Sequence, residues 1–190
     1  MNQIYSAKIV ECNKNQIKQN KNIDIDYTLA IFCNYKGNTT EKIHHTRKEK
    51  IMDKKKISVL DFQKFKDEGR RFAYVTAYDY TTASIVDESD VEVILVGDSL
   101  GMIMLGYSTT VGVTLDDMIH HIRPVVKGAT HTFVAGDMPF GSYQESPEQA
   151  IHSACRMLAE TNCDCVKLEG GVAMAPTIRR MVDVGIPVMG

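Results

Sequence analysis

Three short apolar runs, each ending in an acidic residue, constrain the fold of this chain more than any other feature. They end at Asp98 in VEVILVGDS, at Asp137 in HTFVAGDMPF and at Glu169 in DCVKLEGG. The runs are rich in β-branched residues, which is typical of strands buried on both faces of a parallel sheet. Because the carboxyl ends of parallel strands lie along one edge, we expect the three acids to meet there.

Helical patterns alternate with strand-like runs over most of the chain, at a period of about 30 to 40 residues. The predicted helices cover 58–69, 79–89, a segment from 114, a segment from 146, and 175–184, and the predicted strands cover 72–78, 91–99, 131–137, 164–168 and 186–190. Pro124 is expected to kink or end its helix. This βα alternation predicts a (β/α)8 TIM barrel of which about the first five strands are present. A doubly wound sheet is the alternative, but no G-x-G-x-x-G turn follows any strand.

Composition and charge exclude several classes of protein. The net charge of −2 gives no reason to expect a nucleic-acid or membrane-surface partner. No window approaches the roughly 18 apolar residues that span a bilayer, so a cytoplasmic location is expected. The five cysteines are odd in number and unevenly spaced, which indicates reduced thiols. Cys163 and Cys165 are one residue too close for a zinc knuckle, and we expect them to pack on the same face of a strand.

The first 51 residues differ from the rest of the chain. They are polar and rich in Asn and Lys, and we expect a mostly disordered extension that precedes a domain over residues 52–190. The pair His44-His45 lies in this extension and has no Cys or carboxylate cluster beside it. We therefore interpret it as a solvated pair rather than a metal site.

The acids at the strand ends predict a binding site. Lys167 stands two residues before Glu169 and therefore faces the same side of the sheet. Asp98, Asp137 and Glu169 in one pocket would repel one another without a cation, and carboxylate oxygens suit Mg²⁺. A 2-oxo acid could chelate such an ion, and Lys167 could hold its carboxylate or a developing enolate oxygen. Alternatively, each acid caps the following helix and Lys167 forms a simple ion pair with Glu169 or Asp137.

Five motifs at consistent spacing make the chain from about 57 to 190 resemble the ketopantoate hydroxymethyltransferase family. They are TAYDY (76–80), LVGDSLGM (95–102), GDMPFGSY (136–143), SPEQA (146–150) and VKLEGG (166–171). The resemblance implies a Mg²⁺-dependent, cytoplasmic, homo-decameric barrel enzyme of pantothenate biosynthesis. Such enzymes transfer a hydroxymethyl group from 5,10-methylenetetrahydrofolate to 3-methyl-2-oxobutanoate, giving 2-dehydropantoate through a Mg-bound enolate.

The resemblance also implies roles for individual residues. Asp98 and Asp137 match the metal-binding acids of the family, and Glu169 matches an acid that reaches the metal through water. Asp98 and Ser99, together with Asp137 and Lys167, match positions that contact the oxo acid. These are the residues that the strand-end argument selects.

The family's proton acceptor is a glutamate in the second half of the barrel, beyond the point that Gly190 represents. No catalytic residue is therefore assigned here, and we expect residues 1–190 alone to be inactive. Two alternatives remain open: another Mg-enolate barrel of the isocitrate lyase or phosphoenolpyruvate mutase type, and a non-catalytic metal-binding remnant. The first normally carries a reactive-cysteine loop, for which we see no candidate. Three histidines on predicted helices are interpreted as surface or packing residues: His120, His121 and His152.

Overall fold

A computed structural model describes residues 54–190 of the chain. The predicted extension over residues 1–51, the domain start at Met52 and the pair His44-His45 lie outside the described residues. The predictions on that segment therefore stay predictions.

Five parallel strands, joined by helices, form one sheet in the order β1-β2-β3-β4-β5. The strands are β1 (Tyr74–Thr76), β2 (Val93–Val96), β3 (Phe133–Asp137), β4 (Cys165–Lys167) and β5 (Val188–Met189). The helices are α1 (Val59–Asp67), α2 (Tyr80–Asp87), α3 (Leu100–Ile103), α4 (Leu115–Gly128), α5 (Pro147–Thr161) and α6 (Ala175–Asp183). Each strand pairs with the next one along the chain, as in a (β/α)8 barrel, whereas a doubly wound sheet reverses its strand order. The predicted fold class is confirmed.

The two faces of the sheet bury different clusters. The face opposite the large helices carries a small cluster made of Val93, Leu95, Phe133, Ala135 and Cys165. Ile57 and Phe62, at the start of the described chain, cover this cluster. The other face carries the larger core, where α2, α4, α5 and α6 pack. Period-2 alternation along each strand produces these two layers.

Helix α4 begins at the predicted cap and continues past its proline. Thr114 caps it, with its hydroxyl accepting from the Asp117 backbone N–H at 3.1 Å and donating to the Asp117 carboxylate at 2.7 Å. Pro124 was expected to kink or end the helix; the helix does not end there, since α4 continues to Gly128. The carbonyl that loses its partner belongs to exposed His120, so water can reach that side of the helix.

A glycine in β3 faces the helices α4 and α5. A Cβ atom on Gly136 would lie 2.7 Å from Ile122 Cδ1 and 2.8 Å from Met157 Sδ, so the ends of these two side chains would have to move to admit it. Cys163 packs in this same helix-side core, whereas Cys165 packs in the small cluster. Both thiols are buried, but the expectation that they share one face was wrong, because Cys163 precedes β4 rather than belonging to it.

No helix within residues 54–190 combines the length and the apolar character needed to cross a membrane.

Candidate functional site

The carboxyl ends of β3 and β4 place a lysine between two acids. The strand register sets Asp137 directly beside Lys167. Lys167 Nζ donates to Asp137 Oδ1 at 2.9 Å and to Glu169 Oε1 at 2.8 Å. The Lys167 side chain is only 17% exposed, whereas that of Glu169 is 77% exposed. The Lys167 ammonium is thus fixed at the carboxyl ends of β3 and β4, between the buried carboxylate of Asp137 and the solvated carboxylate of Glu169.

The pKa values in this group follow from burial and charge. Burial by itself would lower the pKa of Lys167, but the hydrogen bond to Glu169 and the charge of Asp137 outweigh it and raise that pKa. Burial raises the pKa of Asp137, although the charge of Lys167 and its hydrogen bond oppose the shift. The lysine therefore stays charged at neutral pH, while the Asp137 carboxylate is poorly solvated.

Asp98 lies at the adjacent strand end and faces the same group. Its backbone N–H points toward Asp137 Oδ2 at 3.4 Å, which is a long contact. Burial raises the pKa of Asp98, against a side-chain hydrogen bond with Thr110 and the charge of Lys167. Gly97 allows the close approach, since a Cβ atom there would lie 2.9 Å from Ser99 Oγ and 3.6 Å from Asp137 Oδ2.

A tyrosine that the sequence reasoning did not select joins the site through Ser99. The Tyr78 hydroxyl and Ser99 Oγ are 2.8 Å apart, and the Tyr78 carbonyl lies 2.8 Å from His121 Nδ1. Two further tyrosines, Tyr74 and Tyr143, are close enough for the charges of Lys167 and Asp137 to act on their pKa values, which burial raises. The TAYDY motif was the only signal for Tyr78, and its spacing alone does not show that it reaches Ser99.

The donor set partly fits a divalent cation. Within residues 54–190, no three His, Cys, Asp or Glu side chains are close enough together to hold one ion. Two desolvated carboxylates, Asp98 and Asp137, do lie near each other, and the charge of Asp98 raises the pKa of Asp137. Such a pair suits a hard cation such as Mg²⁺. Glu169 instead turns to the Lys167 ammonium.

All five residues selected from the sequence thus lie at one edge of the sheet. The ion pairs of Lys167 with Asp137 and with Glu169, foreseen as the simple alternative for that lysine, are both present. The binding roles of Asp98, Ser99 and the others stay predictions. Repulsion among the acids is relieved here by a lysine, which is compatible with a further cation on the Asp98 side.

Comparison with known proteins identifies close relatives over the described part. A family model described as "Ketopantoate hydroxymethyltransferase" matches residues 56–190. The 3-methyl-2-oxobutanoate hydroxymethyltransferase of Heliobacterium modesticaldum is 59% identical over 136 residues, which are 72% of this chain and 49% of the relative. The protein of the same name from Chloroflexus aurantiacus is 58% identical over 135 residues, which are 71% of this chain and 48% of that protein. The chain spans about half the length of the curated relatives it matches.

Solved structures share the fold at low sequence identity. The crystal structure of an oxaloacetate acetylhydrolase superposes with a TM-score of 0.50 and 14% identity, covering 66% of this chain and 48% of that one. This likeness concerns the arrangement of strands and helices alone.

Proposed function

This chain belongs to the ketopantoate hydroxymethyltransferase family, and from that premise we propose that residues 54–190 bind Mg²⁺ and the oxo-acid substrate of such an enzyme. The proposed reaction transfers a hydroxymethyl group from 5,10-methylenetetrahydrofolate to 3-methyl-2-oxobutanoate and gives 2-dehydropantoate, a step of pantothenate biosynthesis. The observation that carries this proposal is the Lys167 ammonium held 2.9 Å from buried Asp137, beside the desolvated Asp98.

The charge of each site residue would determine its binding role. Asp98 and Asp137 would hold Mg²⁺, which when bound polarises the substrate ketone and makes the neighbouring C–H acidic. Lys167 stays protonated and would hold the oxo-acid carboxylate through an N–H donor. Ser99, oriented by Tyr78, would donate to a substrate oxygen. Glu169 would keep the ammonium in place and reach the ion through water.

The remaining features of the family are proposed for the whole enzyme rather than for these residues. Because the chain spans about half the length of its relatives, we propose that the proton acceptor comes from the other half of the barrel. Residues 1–190 alone are then expected to bind but not to turn over. A cytoplasmic location and a homo-oligomer, a decamer in the family, complete the proposal.

Two other functions would use the same strand-end acids. Family membership favours the hydroxymethyltransferase over a Mg-enolate barrel of the isocitrate lyase or phosphoenolpyruvate mutase type. A non-catalytic, metal-binding remnant would share the same acids. It differs from the enzyme in forming no product once the second half of a relative is supplied.

Calorimetric titration tests the binding half of the proposal. We expect the chain to bind 3-methyl-2-oxobutanoate only when Mg²⁺ is present, and Asp137→Asn to weaken this binding at least about tenfold, since it removes one of two charged ligands. Asp116→Asn is the matched control, because this exposed carboxylate on α4 pairs with Arg156 instead. Equal affinity in the Asp137→Asn variant and the unchanged chain would rule out the site.

A chimaera tests the chemical half. The residues that match the family model, 56–190, would replace the corresponding part of the Heliobacterium modesticaldum enzyme, which is 59% identical to this chain over 136 residues. We expect the chimaera to form 2-dehydropantoate and Lys167→Met to lower kcat/KM about a hundredfold, because a charged donor to substrate is lost. A folded chimaera that binds both substrates without forming product would instead support the remnant.

A further inference from the structure

His121 on α4 contacts the loop that leads from β1 to α2. It is half-buried, and its Nδ1 atom lies 2.8 Å from the carbonyl oxygen of Tyr78, 43 residues earlier in the chain. A carbonyl oxygen can only accept a hydrogen bond, so this contact requires Nδ1 to carry the proton and to donate it. His120 and His152 are exposed, in contrast. The imidazole of His121 therefore joins α4 to a loop at the carboxyl end of β1.

Tyr78 stands between the end of β1 and the start of α2. The preceding residue is tied to β2, because the Ala77 N–H donates to a β2 carbonyl at 3.1 Å. The following residue, Asp79, caps α2 by accepting from the Thr82 N–H at 2.9 Å. The Tyr78 carbonyl belongs to neither of these anchors and needs a donor from elsewhere in the fold. The His121 imidazole supplies that donor.

The side chain of Tyr78 extends this placement to Ser99. Its ring packs against the larger core, and its hydroxyl lies 2.8 Å from Ser99 Oγ. Ser99 directly follows Asp98, and its hydroxyl makes no capping hydrogen bond to α3. A serine hydroxyl has one donor and two acceptor positions. Ser99 can therefore accept from Tyr78 and still donate to a ligand beside Asp98.

We propose that His121 is a positioning residue of the oxo-acid site: it fixes the Tyr78 backbone, and the Tyr78 hydroxyl in turn aims Ser99 Oγ at a substrate oxygen. The inference rests on the proposed function and adds to it a residue of the helix layer that touches neither substrate nor metal ion. Without the imidazole, Tyr78 and Ser99 would be free to turn away. Oxo-acid affinity should then fall although the charged residues of the site are unchanged. The alternative is that His121 stabilises only the packing of α4 against this loop.

Calorimetric titration of the full chain with 3-methyl-2-oxobutanoate and Mg²⁺ tests the proposal. We expect His121→Leu and Tyr78→Phe each to weaken binding about fivefold, which corresponds to the loss of one hydrogen bond. His121→Asn should retain the affinity, because its amide nitrogen lies near the position of Nδ1 and can donate to the same carbonyl. His152→Leu removes an exposed histidine from α5 and is the matched control. If His121→Leu does not fold, His121→Gln replaces it, since its amide lies near the position of Nε2 instead.

A double-mutant cycle with Ser99→Ala separates positioning from a purely structural role. If His121 acts through Ser99, His121→Leu should cause no further loss of affinity once Ser99 is alanine. An equal loss in both backgrounds would overturn the proposal, as would an unchanged affinity of His121→Leu or a weakened one of His121→Asn. In each of these cases the proposed function stands as long as Asp137→Asn still weakens oxo-acid binding. Oxo-acid binding that is absent, or that does not respond to Asp137→Asn, would overturn the proposed function and this inference with it.

Discussion

Asp87, the last residue of α2, and Asp137, the last residue of β3, are two equally buried carboxylates near opposite ends of the strands, with exposures of 6% and 7%. Their surroundings differ completely. Asp87 accepts from the backbone N–H groups of Thr130, His131 and Thr132 at 2.7 to 3.0 Å. It also accepts from the Thr130 hydroxyl at 2.8 Å and lies 2.8 Å from His131 Nδ1. Asp137 has one ammonium at 2.9 Å and one long contact at 3.4 Å.

The pKa values of the two acids consequently move in opposite directions. Burial alone would raise the pKa of Asp87, but the donors of Thr132, His131 and Thr130 outweigh it and hold that pKa well below its usual range. At Asp137 burial wins, and the pKa rises. Two equally buried carboxylates can therefore have different roles. A carboxylate with many hydrogen-bond donors stabilises a loop, whereas one with few donors is available to a cation or a substrate.

A cavity of about 440 Å³ lies beside Asp87. Charged side chains that line it pair within the protein: Arg70 bonds Glu92 at 2.6 Å, and His131 contacts Asp87. We assign this cavity no binding role, because Arg70, Glu92 and Asp87 already have partners within the protein.

Asp87→Asn should produce the largest effect of the variants that test this comparison. The amide nitrogen would face donors of residues 130–132, so we expect a loss of about 3–5 kcal/mol of unfolding free energy, or roughly 10 °C in Tm. Calorimetry at pH 7 measures it. Asp90→Asn removes a neighbouring, exposed acid and should leave Tm nearly unchanged. A Tm for Asp87→Asn equal to that of the control would show that Asp87 does not stabilise the fold.

Lowering the pH should reduce the difference in unfolding free energy between the Asp87→Asn variant and the unchanged chain. The folded pKa of Asp87 is depressed, so its stabilisation is present above the unfolded pKa of about 4 and is lost as pH falls through the folded value. We expect the difference in unfolding free energy to shrink by about 1.3 kcal/mol between pH 6 and pH 3, which is close to the equivalent of one pKa unit. Urea unfolding at both pH values measures it, and a constant difference would contradict the assignment.

Lys167→Met should destabilise the opposite edge with the reverse dependence on pH. Asp137 would lose its ammonium, and its already raised pKa should rise further. A carboxyl group whose pKa is raised on folding stabilises the folded protein below the unfolded pKa, and this stabilisation is lost as pH rises through the folded pKa. The unfolding free energy of the variant should therefore be lower at pH 8 than at pH 5. We expect a loss of about 2 kcal/mol at pH 8, measured by urea unfolding. A loss that is the same at both pH values would mean packing alone.

Asp137→Asn should have the smallest effect on stability. Its raised pKa means that the charged carboxylate costs free energy in the folded protein at neutral pH, and Lys167 keeps Glu169 as a partner. We expect Tm at pH 7 to be unchanged or raised by a few degrees, equivalent to at most about 1 kcal/mol. The same variant should lose Mg²⁺-dependent oxo-acid binding. A fall in Tm as large as that of Asp87→Asn would make both acids structural.

Much of the fold could be predicted because its signals are local. Apolar runs indicated the strands, and the caps Ser146 and Thr114 marked the helix starts to within a residue. Strand ends were placed less well: the predicted strand 72–78 is limited to Tyr74–Thr76 in the structure, because the paired register with β2 covers only those residues. The short helix α3, after Ser99, gave no periodic signal and was missed.

The sequence by itself determined which acids end the strands, because side-chain alternation and the parallel βα order place Asp98, Asp137 and Glu169 on one edge. Only the tertiary structure decided what each acid does. Asp87 meets donors 43 to 45 residues away, and Lys167 reaches Asp137 across 30 residues. Such contacts depend on how the elements pack rather than on any local pattern, and they determine which buried carboxylate is saturated and which is left for a ligand.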